Sequence, residues 1–156
     1  MPDDFSKIEP WIMGLMARLS ASQRRSLARR IGQQLRRSNA ARIAANQQPD
    51  GSAMERRKPR VRRDGDRVRK KGRMFKKISL ARNMKIDAKA DGVALAFSGA
   101  VRRTAEVHHF GKRDRVARFR GAPEVQYPAR ALMGFGDGDD DAIMQAVLDH
   151  LDRTGN

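Results

Sequence analysis

Three aspartates at alternate positions, Asp137, Asp139 and Asp141, match the opening ligands of a calcium-binding loop. Such a loop needs glutamate at its twelfth position, and Leu148 stands there. Acidic residues ahead of an apolar-periodic stretch fit a helix N-terminus instead, where they face unpaired amides. The histidines are His108, His109 and His150, and the 156 residues include no cysteine. That excludes a thiolate zinc site, a disulfide framework and a cysteine nucleophile. His108 and His109 are adjacent, so on a helix they point apart and make poor joint ligands. A capping or interface role suits them better. Gly134-Phe135-Gly136-Asp137-Gly138 lacks the Gly-Lys-Ser/Thr ending of a phosphate loop, and neither G-x-S-x-G nor H-E-x-x-H occurs. We expect no catalytic centre, no cofactor and no metal.

Charge carries the strongest functional signal. The chain has 34 Lys and Arg against 18 Asp and Glu, a net of +16. Residues 52–77 alone hold 13 basic and 3 acidic side chains, while residues 78–156 are close to neutral. A near-neutral body with one basic arm points to a localised contact rather than to a general polyanion-binding surface. Over 52–77 the sizeable apolar groups are Met54, Val61, Val68, Met74 and Phe75. They are too few to offset the entropy of ordering, so this arm is expected to be mobile in the free protein and to contribute no core. Three partners are open to it: solvent alone, nucleic acid, or an acidic protein surface. Free nucleic-acid readers interleave stacking aromatics, and this arm has only Phe75.

The elements that must position these groups follow from periodicity. Ile8, Trp11, Ile12, Leu15 and Leu19 give one face of a helix over about 5–19. Ser20-Ala21-Ser22-Gln23 has the form of a capping box, predicting a break and a second helix to about Ala45. Its stripe is Leu27, Ile31, Leu35 and Ile43, with arginines on the other faces. A helix of about 24 residues is roughly 36 Å long, long enough for one end to project or to contact another subunit. Asn46-Gln47-Gln48-Pro49-Asp50-Gly51 is a stop. A short helical pattern spans Met74 to Arg82. Lys85–Lys89 and Val93–Phe97 alternate around Asp91-Gly92, predicting a hairpin with a positive-φ turn. Residues 100–109 read as a helix capped by Gly111, residues 112–122 as a polar loop, and Glu124–Tyr127 as a third strand stopped by Pro128. Tyr127, Pro128, Ala129 and Arg130 should form a fixed corner, with Arg130 pairing with a carboxylate or carbonyl, across a subunit boundary in one version. A last helix carries Ile143, Val147, Leu148 and Leu151 on one face. The fold expected is α+β: a small antiparallel sheet of three to four strands packed against the long second helix and the C-terminal helix, in one domain over 1–156. No apolar run reaches the ~20 residues of a membrane span. The acidic start, Met1-Pro2-Asp3-Asp4, is unlike a signal peptide, so synthesis in a cytoplasm is expected.

Several stretches occur in a telling order: Asn46-Gln47-Gln48-Pro49-Asp50-Gly51, Arg57-Lys58, Lys70-Lys71-Gly72-Arg73-Met74-Phe75, Val107-His108-His109-Phe110-Gly111, Val125-Gln126-Tyr127, and Ala129-Arg130-Ala131-Leu132-Met133-Gly134-Phe135. An acidic run and an amphipathic helix follow. In order and spacing, from about residue 10 to the C-terminus, the chain resembles the phage virion morphogenesis family, in particular the tail completion proteins of temperate contractile-tailed phages. The resemblance implies structural work, not catalysis, at the head-proximal end of a virion tail, where related terminators form rings. Its implied partners are the tail tube, the sheath and the head–tail connector, together with copies of itself in a homo-oligomeric ring, a hexamer among the candidate states. Non-specific DNA contact through the arm is a further expectation, and a stand-alone nucleic-acid-binding protein is the alternative reading. Candidate partner-contact residues are Arg56, Arg57, Lys58, Arg62, Arg63, Lys70, Lys71, Arg73, His109, Tyr127 and Arg130.

Overall fold

The computed structural model describes residues 8–57, 73–117 and 119–154. Helix α1 (Ile8–Arg18) ends at the predicted break. Ser20 then caps helix α2 (Ala21–Ala45) reciprocally: the Gln23 amide donates to Ser20 Oγ at 3.2 Å, and the Ser20 amide donates to Gln23 Oε1 at 2.8 Å. Asn46 terminates α2 in the left-handed region at φ 56°, its amide donating to carbonyls of the last turn. The buried side of α2 runs from Leu27 through Leu35 to Ile43, with Ile31 half-buried. Its first turn lies outside that stripe, and the rest is the spine of the body rather than a projection.

A single 3-10 turn (Ala81–Asn83) leads into strands β1 (Met84–Ala88) and β2 (Val93–Phe97), paired antiparallel with Met84 opposite Phe97. The predicted hairpin forms, with a different turn. The Lys89 amide donates to the Gly92 carbonyl at 2.8 Å, and neither Asp91 nor Gly92 has positive φ. Ala90 and Asp91 are the central pair, so Gly92 takes the fourth position, its favoured place in the commonest turn. The hairpin lies on α2 where Gly32 allows it: a Cβ there would sit 2.6 Å from Ile86 Cγ2.

Helix α3 (Gly99–His109) ends as expected, with Gly111 at φ 61°. The chain then forms a second small sheet from β3 (Arg113–Arg115) and β4 (Glu124–Gln126). The class is α+β and the strands number four among the described residues, but they form two separate pairs instead of one sheet. The predicted third strand, Glu124–Tyr127, finds its partner in the stretch read as polar loop. Apolar alternation gave no sign of this, because the ladder is solvent-facing; Arg115–Glu124 (3.7 Å) pairs across it, and Arg103 of α3 pairs with Asp114 of β3 (2.5 Å).

Helix α4 (Asp139–Thr154) packs on α2, and Leu19, Leu27 and Val147 bury one apolar cluster there. Leu148 is not on the packed face as expected but 38% exposed; His150 is buried in its stead. The main core gathers Ile43, Met54, Met74, Phe75, Ile78, Met84, Val101, Ala105 and Leu132. Three of these residues correct the expected arm. Met54 (3% exposed), Met74 and Phe75 belong to the body, so residues 52–77 are not peripheral at either end. Averaging charge over the whole stretch concealed these apolar ends. Residues 58–72 lie outside the described residues, as do the side chains of Ile8, Trp11, Ile12 and Leu15. Phe75 holds φ 59°, a left-handed backbone that costs a bulky residue about 1–2 kcal/mol, offset by burial of its ring.

Candidate functional site

Between β4 and α4 the chain has no helix or strand, yet it crosses the body held amide by amide. Irregular backbone lying on a core must satisfy its amides with side chains or isolated carbonyls, and here the partners come from three distant elements. The Arg130 amide donates to the His108 carbonyl at 2.7 Å, and the Ala131 amide to Gln48 Oε1 at 2.8 Å. The Leu132 amide donates to His109 Nδ1 at 3.1 Å, and the Gly134 amide to Asn39 Oδ1 at 2.9 Å. The Gly136 amide donates to Asp139 Oδ2 at 2.9 Å. Residues 130–136 thus form a strap across α2, the 46–51 turn and the end of α3.

Two nodes secure the strap. At one end Arg130 is 3% exposed. Its Nε donates to the Glu55 carbonyl at 2.6 Å, Nη2 to the Arg56 carbonyl at 3.4 Å, and Nη1 to His108 Nδ1 at 3.1 Å. Because a guanidinium only donates, His108 Nδ1 must be the acceptor and the ring is neutral. Burial pushes the His108 pKa down to about 4, with the charges of Arg130 and Arg57 adding to the shift. The same ring meets Phe75 edge-on at 4.9 Å and Tyr127 at 4.8 Å. At the other end Arg42 Nη2 bonds both the Gly134 carbonyl and Asp139 Oδ2, each at 2.9 Å. Burial works against the Asp139 charge, but the Gly136 amide and Arg42 more than compensate, holding its carboxyl below the usual range. Asp139 stands in the first turn of α4 as expected of this acidic run, but it binds the segment ahead of the helix instead of capping the helix amides.

The candidate contact residues separate into three groups. Arg56, Arg57 and Arg73 are exposed where the basic stretch leaves and rejoins the body. Lys58, Arg62, Arg63, Lys70 and Lys71 lie outside the described residues. His109, Tyr127 and Arg130 are brought together, but around the strap rather than on a free surface. Residues 127–130 form no bend, in contrast to the expected corner, and the carbonyls that Arg130 binds, those of Glu55 and Arg56, belong to its own chain. Sequence reading missed Asn39, Arg42, Gln48 and the exposed ring of Phe135. One signal was available for Asn39: it stands midway between Leu35 and Ile43 at four-residue steps, a polar residue inside the apolar stripe. Such a residue must find partners in the interior.

Among the described residues no cluster of three or more metal-ligating side chains occurs, and no helix is long and apolar enough to cross a membrane. Most of the motif-bearing stretches converge instead on the strap: Gln48 from the 46–51 turn, Phe75, His108 and His109, Tyr127, and Arg130 through Gly134. The sequence model of the phage virion morphogenesis family matches residues 3–152. Tail completion protein S of Escherichia phage P2 is 33% identical over 153 residues, covering 97% of this chain and 99% of that protein. No solved structure matches.

Proposed function

The chain belongs to the phage virion morphogenesis family, and from that premise we propose that it is a structural tail completion protein of a virion. The carrying observation is the near-full-length similarity to a protein of that name, 33% identical over 97% of this chain. The finer reading is that it acts at the head-proximal end of the tail, in a homo-oligomeric ring for which six subunits is a candidate number. There it meets tube, sheath or connector proteins and performs no catalysis.

The geometry supports a contact made by the basic stretch. The Arg130 node ties down the backbone at Glu55 and Arg56, and Phe75 packs on the same node from the far end. The described residues on either side of the basic stretch are thereby held at one node. Single exposed ion pairs contribute only about 0–1 kcal/mol, but copies around a ring act together through effective concentration. The test is complementation of a phage lacking the gene, scored by infectious particles and by tail length in micrographs. The wild-type chain restores both, and Arg56→Glu with Arg57→Glu restores neither while the purified variant melts normally. Full complementation by the double variant overturns the role of the stretch. A monomer whose DNA affinity falls steeply with salt supports the nucleic-acid alternative.

A further inference from the structure

Phe135 stands between Gly134 and Gly136 with its ring 67% exposed, on a loop that has no freedom to fold it inward. Asn39 holds the Gly134 amide, Arg42 the Gly134 carbonyl and Asp139 the Gly136 amide, each at 2.9 Å. The loop also presses on the 46–51 turn. A Cβ at Gly134 would lie 2.9 Å from Pro49 Cγ, and one at Gly136 2.6 Å from the Pro49 carbonyl oxygen. An exposed aromatic on a pre-organised loop has the properties of an interface anchor, since little further ordering is needed on binding.

Beside the ring runs an open groove of about 420 Å³, lined by Pro49, Asp50, Phe135, Asp137, Asp140 and Asp141. No lysine or arginine lines it, although the chain as a whole carries +16. An aromatic face beside carboxylates receives guanidinium and ammonium groups, through cation–π attraction and ion pairing. The chain itself carries a matching ligand. Residues 56–73 hold 11 basic and 2 acidic side chains.

We propose that the Phe135 groove of one copy binds the basic stretch 56–73 of a second copy. Each copy then offers one groove and one stretch, made of different residues. That makes the contact heterologous, able to propagate head to tail and to close into a ring. The proposal deepens the assembly role above and rests on it for ring closure only.

Sedimentation of the full-length chain tests it. Wild-type protein self-associates at low salt and dissociates as salt rises. Phe135→Ala weakens association at least tenfold, as does Asp140→Lys with Asp141→Lys, and so does Arg62→Glu with Arg63→Glu. Unchanged melting curves confirm that each variant folds. The decisive experiment mixes the Asp140/Asp141 variant with the Arg62/Arg63 variant. Each is monomeric alone, and the mixture has one intact groove and one intact stretch to pair. It forms dimers that do not grow. A wild-type chain that stays monomeric at all concentrations overturns the proposal, as does a mixture that stays monomeric, the result if the stretch occupies the groove of its own chain or if the groove takes a different basic protein. Groove variants that associate like wild type overturn it too. If the groove variants complement normally, the tail role stands and this contact falls. If self-association proceeds as described while even the wild-type chain fails to complement, the contact stands and the tail role falls.

Discussion

Arg130 and His108 share one hydrogen bond whose direction is fixed, and that direction has a pH consequence. The folded His108 titrates at about 4 against 6.5 for the free side chain, so between those values the unfolded chain binds the extra proton. Stability is therefore complete above about pH 6.5, falls as pH drops through the window, and levels off below about 4. His109, also held down by burial, shifts it in the same sense, because its Nδ1 accepts from Leu132. Melting temperature measured against pH should show this fall, and His108→Gln should flatten it. Arg130→Ala removes charge-assisted bonds to two backbone carbonyls, and we expect a loss of about 3 kcal/mol in urea unfolding. Arg130→Lys should recover only part of it, since an ammonium lacks the fork. Hydrogen exchange at residues 54–57 should speed up in both variants. Sequence alone indicated a carbonyl or carboxylate partner for Arg130, but not that the partner lay 74–75 residues back in the same chain. Nothing in local residue type encodes that separation.

At the level of elements, local signals were legible where local chemistry decides the outcome. The Ser20–Gln23 box, the Asn46 stop and the strand alternation around Asp91-Gly92 each draw on neighbours a few residues apart, and each produced the expected element. The β3–β4 ladder was illegible because its strands bury no face, and polar alternation resembles a loop. The strap was illegible for another reason: its order comes from side chains of Asn39, Arg42 and Gln48, more than 80 residues away. Its anchor can be tested directly. Asp139→Ala leaves the part-buried Arg42 guanidinium without its carboxylate; a fully buried pair broken from one side costs about 3–5 kcal/mol, and this one should cost less, about 2 kcal/mol, because Arg42 keeps the Gly134 carbonyl. Calorimetry should show it, with a matching loss of protection at the Gly134 and Gly136 amides. Gly136→Ala must displace the Pro49 carbonyl and should cost about 1–3 kcal/mol by the same measurement.

Across the whole molecule, charge is segregated. Helix α2 carries seven arginines and no acidic residue, the stretch 56–73 is basic, and four aspartates, Asp137, Asp139, Asp140 and Asp141, cluster at the start of α4. Trypsin should cleave first within 56–73 in the free protein and more slowly in assembled tails; equal rates in both would count against ordering of this stretch on assembly. The strap has a separate consequence, in time rather than in space. Its bonds join residues 39 to 134, 42 to 139 and 48 to 131, so closure of the body waits for almost the entire chain. Contacts of such long sequence separation slow folding. On the ribosome, α2 must emerge and persist with Asn39 and Arg42 unanswered until Asp139 is made. A nascent chain arrested before that residue lacks the Arg42 anchor and the Val147 side of the α2–α4 cluster, and the last quarter of the sequence acts as the latch on structure begun in the first.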